Sequence, residues 1–229
     1  MKKILVPTDF SEPSDFALEA AAGIARKSNA TVVLLHVVEG ASSSTFSVTG
    51  EMSFDSPEEQ FFTLKLIERA RAEIDARLND PVCEGVDMHY EMQVGNPYHG
   101  IKSIIADHEV DLVVMGTSGV HSFEEYLVGS TTEKVVRYAH SPVLTIHKKP
   151  STQDFKNIVV ATALKKDEME FMKIVAAFQK VYDSKIHLVR IKSYLSNKYG
   201  INSNFLRKNH PRNKIIFYYL KSVAYKVKS

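Results

Sequence analysis

Residues 116–132 combine glycines and hydroxyl side chains in a spacing that suits the binding of phosphate groups. The segment reads Gly-Thr-Ser-Gly-Val-His-Ser-Phe-Glu-Glu-Tyr-Leu-Val-Gly-Ser-Thr-Thr, which is the pattern Gly-x2-Gly-x9-Gly-Ser. Gly116 and Gly119 have no Cβ, so the backbone there can approach a phosphate or a ribose closely. Gly129 and Ser130 stand at the start of a predicted helix, whose first amides lack partners and carry partial positive charge. The segment therefore predicts a phosphate site at a helix N-terminus.

Each of these residues also has a purely structural interpretation. Gly116 can simply end a strand, and Ser130 can cap its own helix, because Ser-Thr-Thr-Glu forms a capping box. Asp9, at the end of the first predicted strand, could accept hydrogen bonds from a ribose or an amino group, or could cap the helix that follows. Their convergence on one predicted crevice favours the phosphate site.

Short apolar runs and helix-start signals alternate regularly over the first two-thirds of the chain. The five predicted strands span residues 4–6, 31–38, 86–94, 111–115 and 143–147. The four predicted helices span about 12–28, 56–79, 96–108 and 130–139, and the first three have N-cap residues at Ser11, Ser56 and Asn96. Residues 39–55 are predicted to form a long loop.

This order predicts an α/β fold, an open doubly wound five-stranded parallel sheet with helices on both faces. Ligands of such sheets bind beyond the carboxyl ends of the strands, where the winding reverses. With the strand order 3-2-1-4-5, which is taken from fold analogy, the crevice lies between the first and fourth strands. Pro7, Thr8 and Asp9 follow the first of these strands, and Gly116 follows the fourth.

The charges divide the chain into an acidic body and a basic tail. All 27 acidic residues lie at or before Asp183, and eleven of the 29 Lys and Arg follow it, so residues 1–183 carry a net charge of −9. A basic tail can bind nucleic acid or acidic lipid, but no specific nucleic-acid partner is predicted here. The sequence has neither a signal peptide nor an apolar run of membrane-spanning length, and it contains a single cysteine. We therefore expect a cytoplasmic protein.

The second part of the chain carries a weak internal repeat. Residues 156–191 repeat residues 2–37 without a gap, with the same apolar pattern but few identities. We predict a partial, degenerate second copy over residues 154–192, in which Ala161 and Ala163 stand in place of Pro7 and Asp9. Residues 193–229 have two open interpretations: a genuine basic tail that is partly disordered, or out-of-frame translation of an A/T-rich gene.

These residues resemble the universal stress protein family. The opening from Lys3 to Ser11 resembles the first strand and turn of that family, and residues 34–37 resemble its second strand. Residues 114–119, the pair Gly129-Ser130 and residues 141–144 match its closing motif. The resemblance covers residues 1–148 fully and 154–192 in part, and the full glycine motif is that of the ATP-binding branch.

The resemblance implies a set of nucleotide contacts, with ATP as the cofactor and Mg²⁺ accompanying its phosphates. The residues implied on the base and ribose side are Pro7, Thr8, Asp9, Val37, Met115 and Gly116. The residues implied at the phosphates are Gly119, Gly129, Ser130 and Thr131. One departure weakens the phosphate side, because a position that is often basic in the family holds Val120 here, followed by His121.

Three functions are consistent with this sequence. The first is an ATP-binding stress-response regulator with slow or no hydrolysis, because the chain lacks Gly-x4-Gly-Lys-Ser/Thr and an evident catalytic base. The second is a non-enzymatic dimerisation or interaction module with a vestigial nucleotide site. The third, an adenylate-transferring enzyme on the same fold, would need a catalytic lysine or phosphate loop that residues 7–13 do not contain.

Further expectations concern the assembly of the protein and residues outside the predicted nucleotide site. The family resemblance implies a homodimer that pairs through the last strand, from Val143 to His147. Glu68, Arg69, Arg71 and Glu73 are interpreted as a solvated helix face, and His36 as a packed, hydrogen-bonded residue. Phe61 and Phe62 are interpreted as core or interface residues.

Overall fold

The computed structural model describes residues 1–39, 45–46, 52–53, 56–117, 130–151, 155–161, 169–189 and 216–217. The chain forms two compact units, Met1–Pro150 and Ser151–Ser229. None of the helices in the described part of the chain combines the length and the apolar composition that crossing a lipid bilayer requires.

Strands and helices alternate through the first unit. The strands are β1 (Lys3–Thr8), β2 (Thr31–Val38), β3 (Thr45–Phe46), β4 (Met52–Ser53), β5 (Met88–Val94), β6 (Leu112–Gly116) and β7 (Val143–Ile146). The helices are α1 (Glu12–Ser28), α2 (Pro57–Leu78), α3 (Pro97–Asp107) and α4 (Ser130–Tyr138), with a short 3-10 helix at Pro81–Cys83.

The five long strands of this unit form one parallel sheet. Their order is β5-β2-β1-β6-β7, and each neighbouring pair runs parallel. Counted along the chain, this is the order 3-2-1-4-5, so the predicted fold is confirmed. The winding reverses between β1 and β6, because β1 is followed by β2 on one side whereas β6 returns on the other.

Four of the five long strands, β1, β2, β6 and β7, are almost continuously apolar and largely buried, as parallel strands covered on both faces must be. Ile4, Leu5 and Val6 of β1 are fully buried. On one face, Leu5 and Val113 pack in a cluster with residues of α3 and α4 and of the segments beside them, among which are Ile101, Ile104, Ile105 and Val135.

Two of the three predicted N-caps form capping hydrogen bonds. Ser56 Oγ accepts from the amide of Glu59 at 3.1 Å. Asn96 Oδ1 accepts from the amides of Tyr98 and His99 at 3.0 and 3.3 Å. Each cap satisfies donors that the first helical turn otherwise leaves unpaired.

Two local predictions were wrong in detail. Ser11 occupies the N-cap position of α1, but its side chain makes no capping bond, and its hydroxyl donates to the carboxylate of Asp9. The predicted loop over residues 39–55 contains β3 and β4, which pair antiparallel. Phe61 and Phe62, interpreted as core or interface residues, are 64% and 57% exposed, which excludes the core and leaves the interface as a prediction.

The second unit contains a β-α-β segment and one further short strand. Its elements are β8 (Asn157–Ala161), α5 (Met169–Tyr182), β9 (Lys185–Val189) and β10 (Ile216–Phe217). β8 and β9 are parallel, with Asn157 opposite Lys185. The positions 154 residues earlier, Lys3 and Thr31, are opposite each other in β1 and β2.

The ends of the two corresponding helices also match. Asp183 after α5 has a φ of 51°, and Asn29 after α1 has a φ of 53°. The amide of the next residue bonds back to the helix in both cases, from Ser184 to Gln179 and from Ala30 to Ala25. This agreement supports the predicted repeat, which stays a prediction. Most of the predicted tail over residues 193–229 lies outside the described residues.

Candidate functional site

A cavity of about 750 Å³ opens at the carboxyl ends of β1, β2 and β6. Its walls also include the turn between β1 and α1, one face of α2, and the first turns of α3 and α4. This is the position that the doubly wound topology predicts for a ligand, at the point where the winding reverses. Apolar and polar groups share the lining, as in most small-molecule sites.

Seven of the predicted site residues line this one cavity, and they come from four separate parts of the sequence. They are Pro7, Thr8, Asp9, Val37, Met115, Gly116 and Thr131. Ser130 is the first residue of α4. Gly119 and Gly129 lie outside the described residues, as do Val120 and His121.

Hydrogen bonds fix the turn between β1 and α1. The Thr8 hydroxyl accepts from the amide of Phe10 at 3.0 Å and lies 3.0 Å from Ser14 Oγ. Ser14 Oγ donates to the carbonyl of Ser11 at 2.8 Å. The single hydroxyl proton of Ser14 is thus used, so Thr8 is the donor in the bond between the two side chains.

Asp9 places an ionised carboxylate at the edge of the cavity. Burial by itself raises the pKa of Asp9, but hydrogen bonds from the hydroxyl and amide of Ser11 outweigh it, so the pKa lies below its usual value. The hydrogen bond from the Ser11 amide to Asp9 Oδ1 is 3.1 Å long. Asp9 therefore caps its own turn and still presents a negatively charged group beside the cavity.

Arg77 of α2 links the turn between β1 and α1 to both of these helices, α1 and α2. Its guanidinium donates to the carbonyl of Phe10 at 3.0 Å, to Asp15 at 2.7 Å and to the carboxylate of Glu73 at 2.7 Å. Burial alone lowers the pKa of Arg77, but its hydrogen bonds to the carboxylates of Asp15 and Glu73 outweigh this and raise it, so the side chain stays charged.

His36 of β2 completes the wall on the other side of Phe10. Its Nδ1 lies 2.8 Å from the carbonyl of Thr8, and because a carbonyl can only accept, Nδ1 carries the proton. The imidazole stacks on the Phe10 ring with the centroids 4.1 Å apart. His36 is packed and hydrogen-bonded as its sequence position indicates, and it also lines the cavity.

Gly116 is required by the packing of α1 against the end of β6. A Cβ at this position would lie 2.2 Å from the carbonyl oxygen of Pro13 and 2.6 Å from the amide nitrogen of Ser14. These contacts are shorter than any real Cβ tolerates, and the obstructing atoms belong to the backbone. The absence of a side chain at Gly116 therefore serves helix packing, whatever else it allows in the cavity.

The carboxyl end of β6 and the residue after it are hydrogen-bonded to α4 and to the residue that follows β7. Thr132 Oγ1 donates to the carbonyl of Gly116 at 3.4 Å. The Thr117 hydroxyl is hydrogen-bonded to Nδ1 of His147, and Thr117 is 3% exposed. Burial lowers the pKa of His147 below its usual value. Thr131 faces the cavity from the first turn of α4, where helix amides are free to meet an anion.

Sequence reasoning missed the contribution of α2 to the cavity. Arg69 and Glu73 line the cavity together with Leu66 and Ala70, although these two charged residues were interpreted as part of a solvated helix face. Their spacing of i, i+3, i+4 and i+7 is that of one helix face, and this signal is present in the sequence. Phe10 was also missed, because its position in a turn gave no indication of stacking.

Comparison with known proteins identifies the family of the first unit. A family model described as the universal stress protein family matches residues 1–147. The chain belongs to the universal stress protein family. Membership places it among stress-response proteins, in agreement with the resemblance of the β1, β2 and glycine segments.

Individual relatives agree with this assignment. The universal stress protein MJ0577 of Methanocaldococcus jannaschii is 32% identical over 157 residues, which cover 66% of this chain and 97% of that protein. The structure of the universal stress protein UspA from Lactobacillus plantarum is similar with a TM-score of 0.50 and 28% identity, and the match covers 64% of this chain and 97% of that one.

A third similarity extends further along the chain. A universal stress protein from Archaeoglobus fulgidus matches 90% of this chain and 71% of its own length, with a TM-score of 0.60 and 18% identity. At this identity the match concerns the fold alone.

Proposed function

We propose that the domain over residues 1–148 binds ATP or a similar nucleotide and acts as a stress-response regulator that hydrolyses the nucleotide slowly or not at all. The observation that carries this proposal is the convergence of β1, β2, β6 and the first turn of α4 on one cavity of about 750 Å³. Its volume falls within the range of roughly 300–1,000 Å³ that small-molecule sites occupy.

The two sides of the cavity suit the two ends of a nucleotide. Leu35, Val37 and Ile101 offer apolar surface on which a base can lie. The N-terminus of α4, with Thr131 in its first turn, offers amides and partial positive charge to phosphates. Asp9 supplies an acceptor for ribose hydroxyls or for an amino group of the base.

Slow turnover is expected because Asp9, whose carboxylate lies at the edge of the cavity, is a poor general base. The lowered pKa and the Ser11 hydrogen bonds make this carboxylate a weak base at neutral pH. Among the described residues no group of three or more metal-binding side chains occurs, so Mg²⁺ would be held mainly by the phosphates.

The proposal is tested by the nucleotide that the purified protein carries, measured by acid extraction and chromatography. We expect close to one ATP or ADP per chain, and its loss in a Gly129→Val, Ser130→Ala double variant that still melts cooperatively. Ser103→Ala is the matched control, because Ser103 lies on the exposed side of α3, bonded to Asp107. A protein that carries no nucleotide and binds no added ATP would refute the proposal.

A vestigial site is the second candidate, and one feature of the cavity favours it. Thr8, Asp9 and Thr132 already bond to groups of the protein itself. When the polar groups of a cavity are already hydrogen-bonded within the protein, fewer of them are available to bind a ligand. The same extraction separates the two functions, because an interaction module would be empty yet folded.

We also propose that the chain forms a homodimer in the cytoplasm. The resemblance of the chain to universal stress proteins supports pairing through the last strand of the domain, from Val143 to His147. The free thiol of Cys83 is compatible with a reducing compartment. Sedimentation equilibrium tests the assembly, and a monomer at the highest attainable concentration would refute it.

A further inference from the structure

Arg77 touches the wall of the cavity without lining it. Its side chain is 15% exposed, and its five donors are directed at three partners. Two hydrogen bonds go to the carboxylate of Asp15 at 2.7 and 3.3 Å, and one goes to the carbonyl of Phe10 at 3.0 Å. The carboxylate and carbonyl of Glu73 take the remaining bonds at 2.7 and 3.1 Å.

The backbone that Arg77 holds is in an unfavourable conformation. Phe10 has a φ of 64°, which lies in the left-handed region that residues other than glycine rarely adopt. A bulky side chain at such a position persists only where the surroundings enforce it. The bond from Arg77 to the Phe10 carbonyl and the bond from the Phe10 amide to Thr8 enforce it from both sides.

The side chain of Phe10 contacts both Arg77 and a second residue of the cavity wall. Its ring contacts the guanidinium of Arg77, 4.8 Å from the ring centroid, and stacks on the imidazole of His36. His36 in turn donates to the carbonyl of Thr8. Phe10, His36 and Thr8 all line the cavity, so a series of contacts links three lining residues to one arginine outside it.

We propose that Arg77 is a positioning residue for ligand binding, which shapes the cavity by holding Phe10 in its left-handed conformation. This inference rests on the proposed nucleotide site. Lysine cannot replace arginine in this role, because the planar guanidinium bonds two carboxylates and two carbonyls at once and also contacts the ring of Phe10. An ammonium group can keep the charge but not this combination of contacts.

The first test compares ATP affinity by titration calorimetry, with Mg²⁺ present, in full-length variants. Arg77→Met and Arg77→Lys should each raise the Kd for ATP by about tenfold or more, because a loosened supporting residue misplaces the groups that it holds. Arg26→Met is the matched control. Arg26 also donates to backbone carbonyls, those of Val82 and Glu84, but it does so away from the cavity.

The outcomes separate this inference from the proposed function. A wild-type chain that binds no ATP would overturn both. A wild-type chain that binds ATP, with an unchanged Kd in Arg77→Met, would overturn the positioning role alone. An equal loss of affinity in Arg26→Met would also overturn it, since the effect would then reflect general destabilisation, which thermal melts of each variant measure independently.

A double-mutant cycle tests whether Arg77 acts through Phe10. Glycine adopts a φ of 64° without strain, so a Phe10→Gly chain no longer needs the arginine to hold the turn. Arg77→Met should therefore raise the Kd for ATP much less in the Phe10→Gly background than in the wild type. The same fold-change in both backgrounds would contradict the mechanism, because two residues that act independently give additive effects.

Discussion

Gly116 is the residue whose identity the packing constrains most directly. A Cβ there would meet the backbone of Pro13 at 2.2 Å, and backbone atoms in the first turn of α1 cannot move aside as a flexible side chain would. We predict that Gly116→Ala lowers the free energy of unfolding by at least about 2 kcal/mol, as overpacking does in well-packed sites. Urea unfolding measures the change.

Gly23 provides the control for that prediction. It lies within α1, and a Cβ added to it would meet no atom within 4 Å. Gly23→Ala should therefore raise the free energy of unfolding by about 0.5–1 kcal/mol, since alanine is the better helix former. Equal effects of the two substitutions would show that Gly116 is not packed as described.

His147 makes stability depend on pH in the weakly acidic range. Burial lowers the pKa of its imidazole below the ordinary 6.5, so the folded chain resists the proton that the unfolded chain accepts. The unfolded state then binds more protons between the two pKa values, and stability falls as pH drops below 6.5 towards the folded pKa. Denaturant melts across this range should show the slope, and His147→Gln should remove its share.

An independent measurement checks the same prediction. The imidazole of His147 should titrate below pH 6.5 when it is followed by NMR. A pKa at or above that value would contradict the burial described for the contact between His147 and Thr117.

At the scale of elements, the helix caps differ in strength although their sequences look alike. Asn96→Ala removes an acceptor of two amide hydrogen bonds, so it should cost about 1–2 kcal/mol. Ser11→Ala should cost roughly 0.5–1 kcal/mol, because Ser11 Oγ makes no capping bond and its loss removes one exposed hydrogen bond, to the carboxylate of Asp9. Chemical denaturation of both variants compares them, and a larger cost at Ser11 would contradict this assignment.

The elements themselves were predictable because their signals are local. The pairs Ser56-Pro57 and Asn96-Pro97 start helices through chemistry within three or four residues, and both starts are confirmed. Most of the strands followed from apolar runs, and the strand over residues 86–94 followed from an alternating pattern. The order of the strands was not contained in any local pattern, and it was predicted correctly only through analogy with a known fold.

Contacts between elements account for what the sequence did not reveal. Arg77 lies 62 positions from Asp15, and no periodicity indicates that the two side chains meet. Ser11 has the residue type of an N-cap, but its hydroxyl donates to the carboxylate of Asp9 and makes no capping bond. Seven predicted site residues converge on the cavity because each directly follows or lies in an element whose position the topology fixes.

At the scale of the whole molecule, the chain joins a universal stress protein domain to a second unit in which β8 and β9 share the register of β1 and β2. In the predicted repeat, Ala161 takes the position of Pro7, and Ala163, which lies outside the described residues, takes that of Asp9. We therefore predict that the first unit is the one that binds nucleotide.

The most direct test of this account is a map of the amides that respond to ATP with Mg²⁺ in two-dimensional NMR spectra of the whole chain. The account predicts shifts at Thr8, Asp9, Val37, Gly116 and Thr131, and none in β8 or β9. Spectra that stay unchanged at saturating ATP, or shifts that cluster in the second unit, would contradict it.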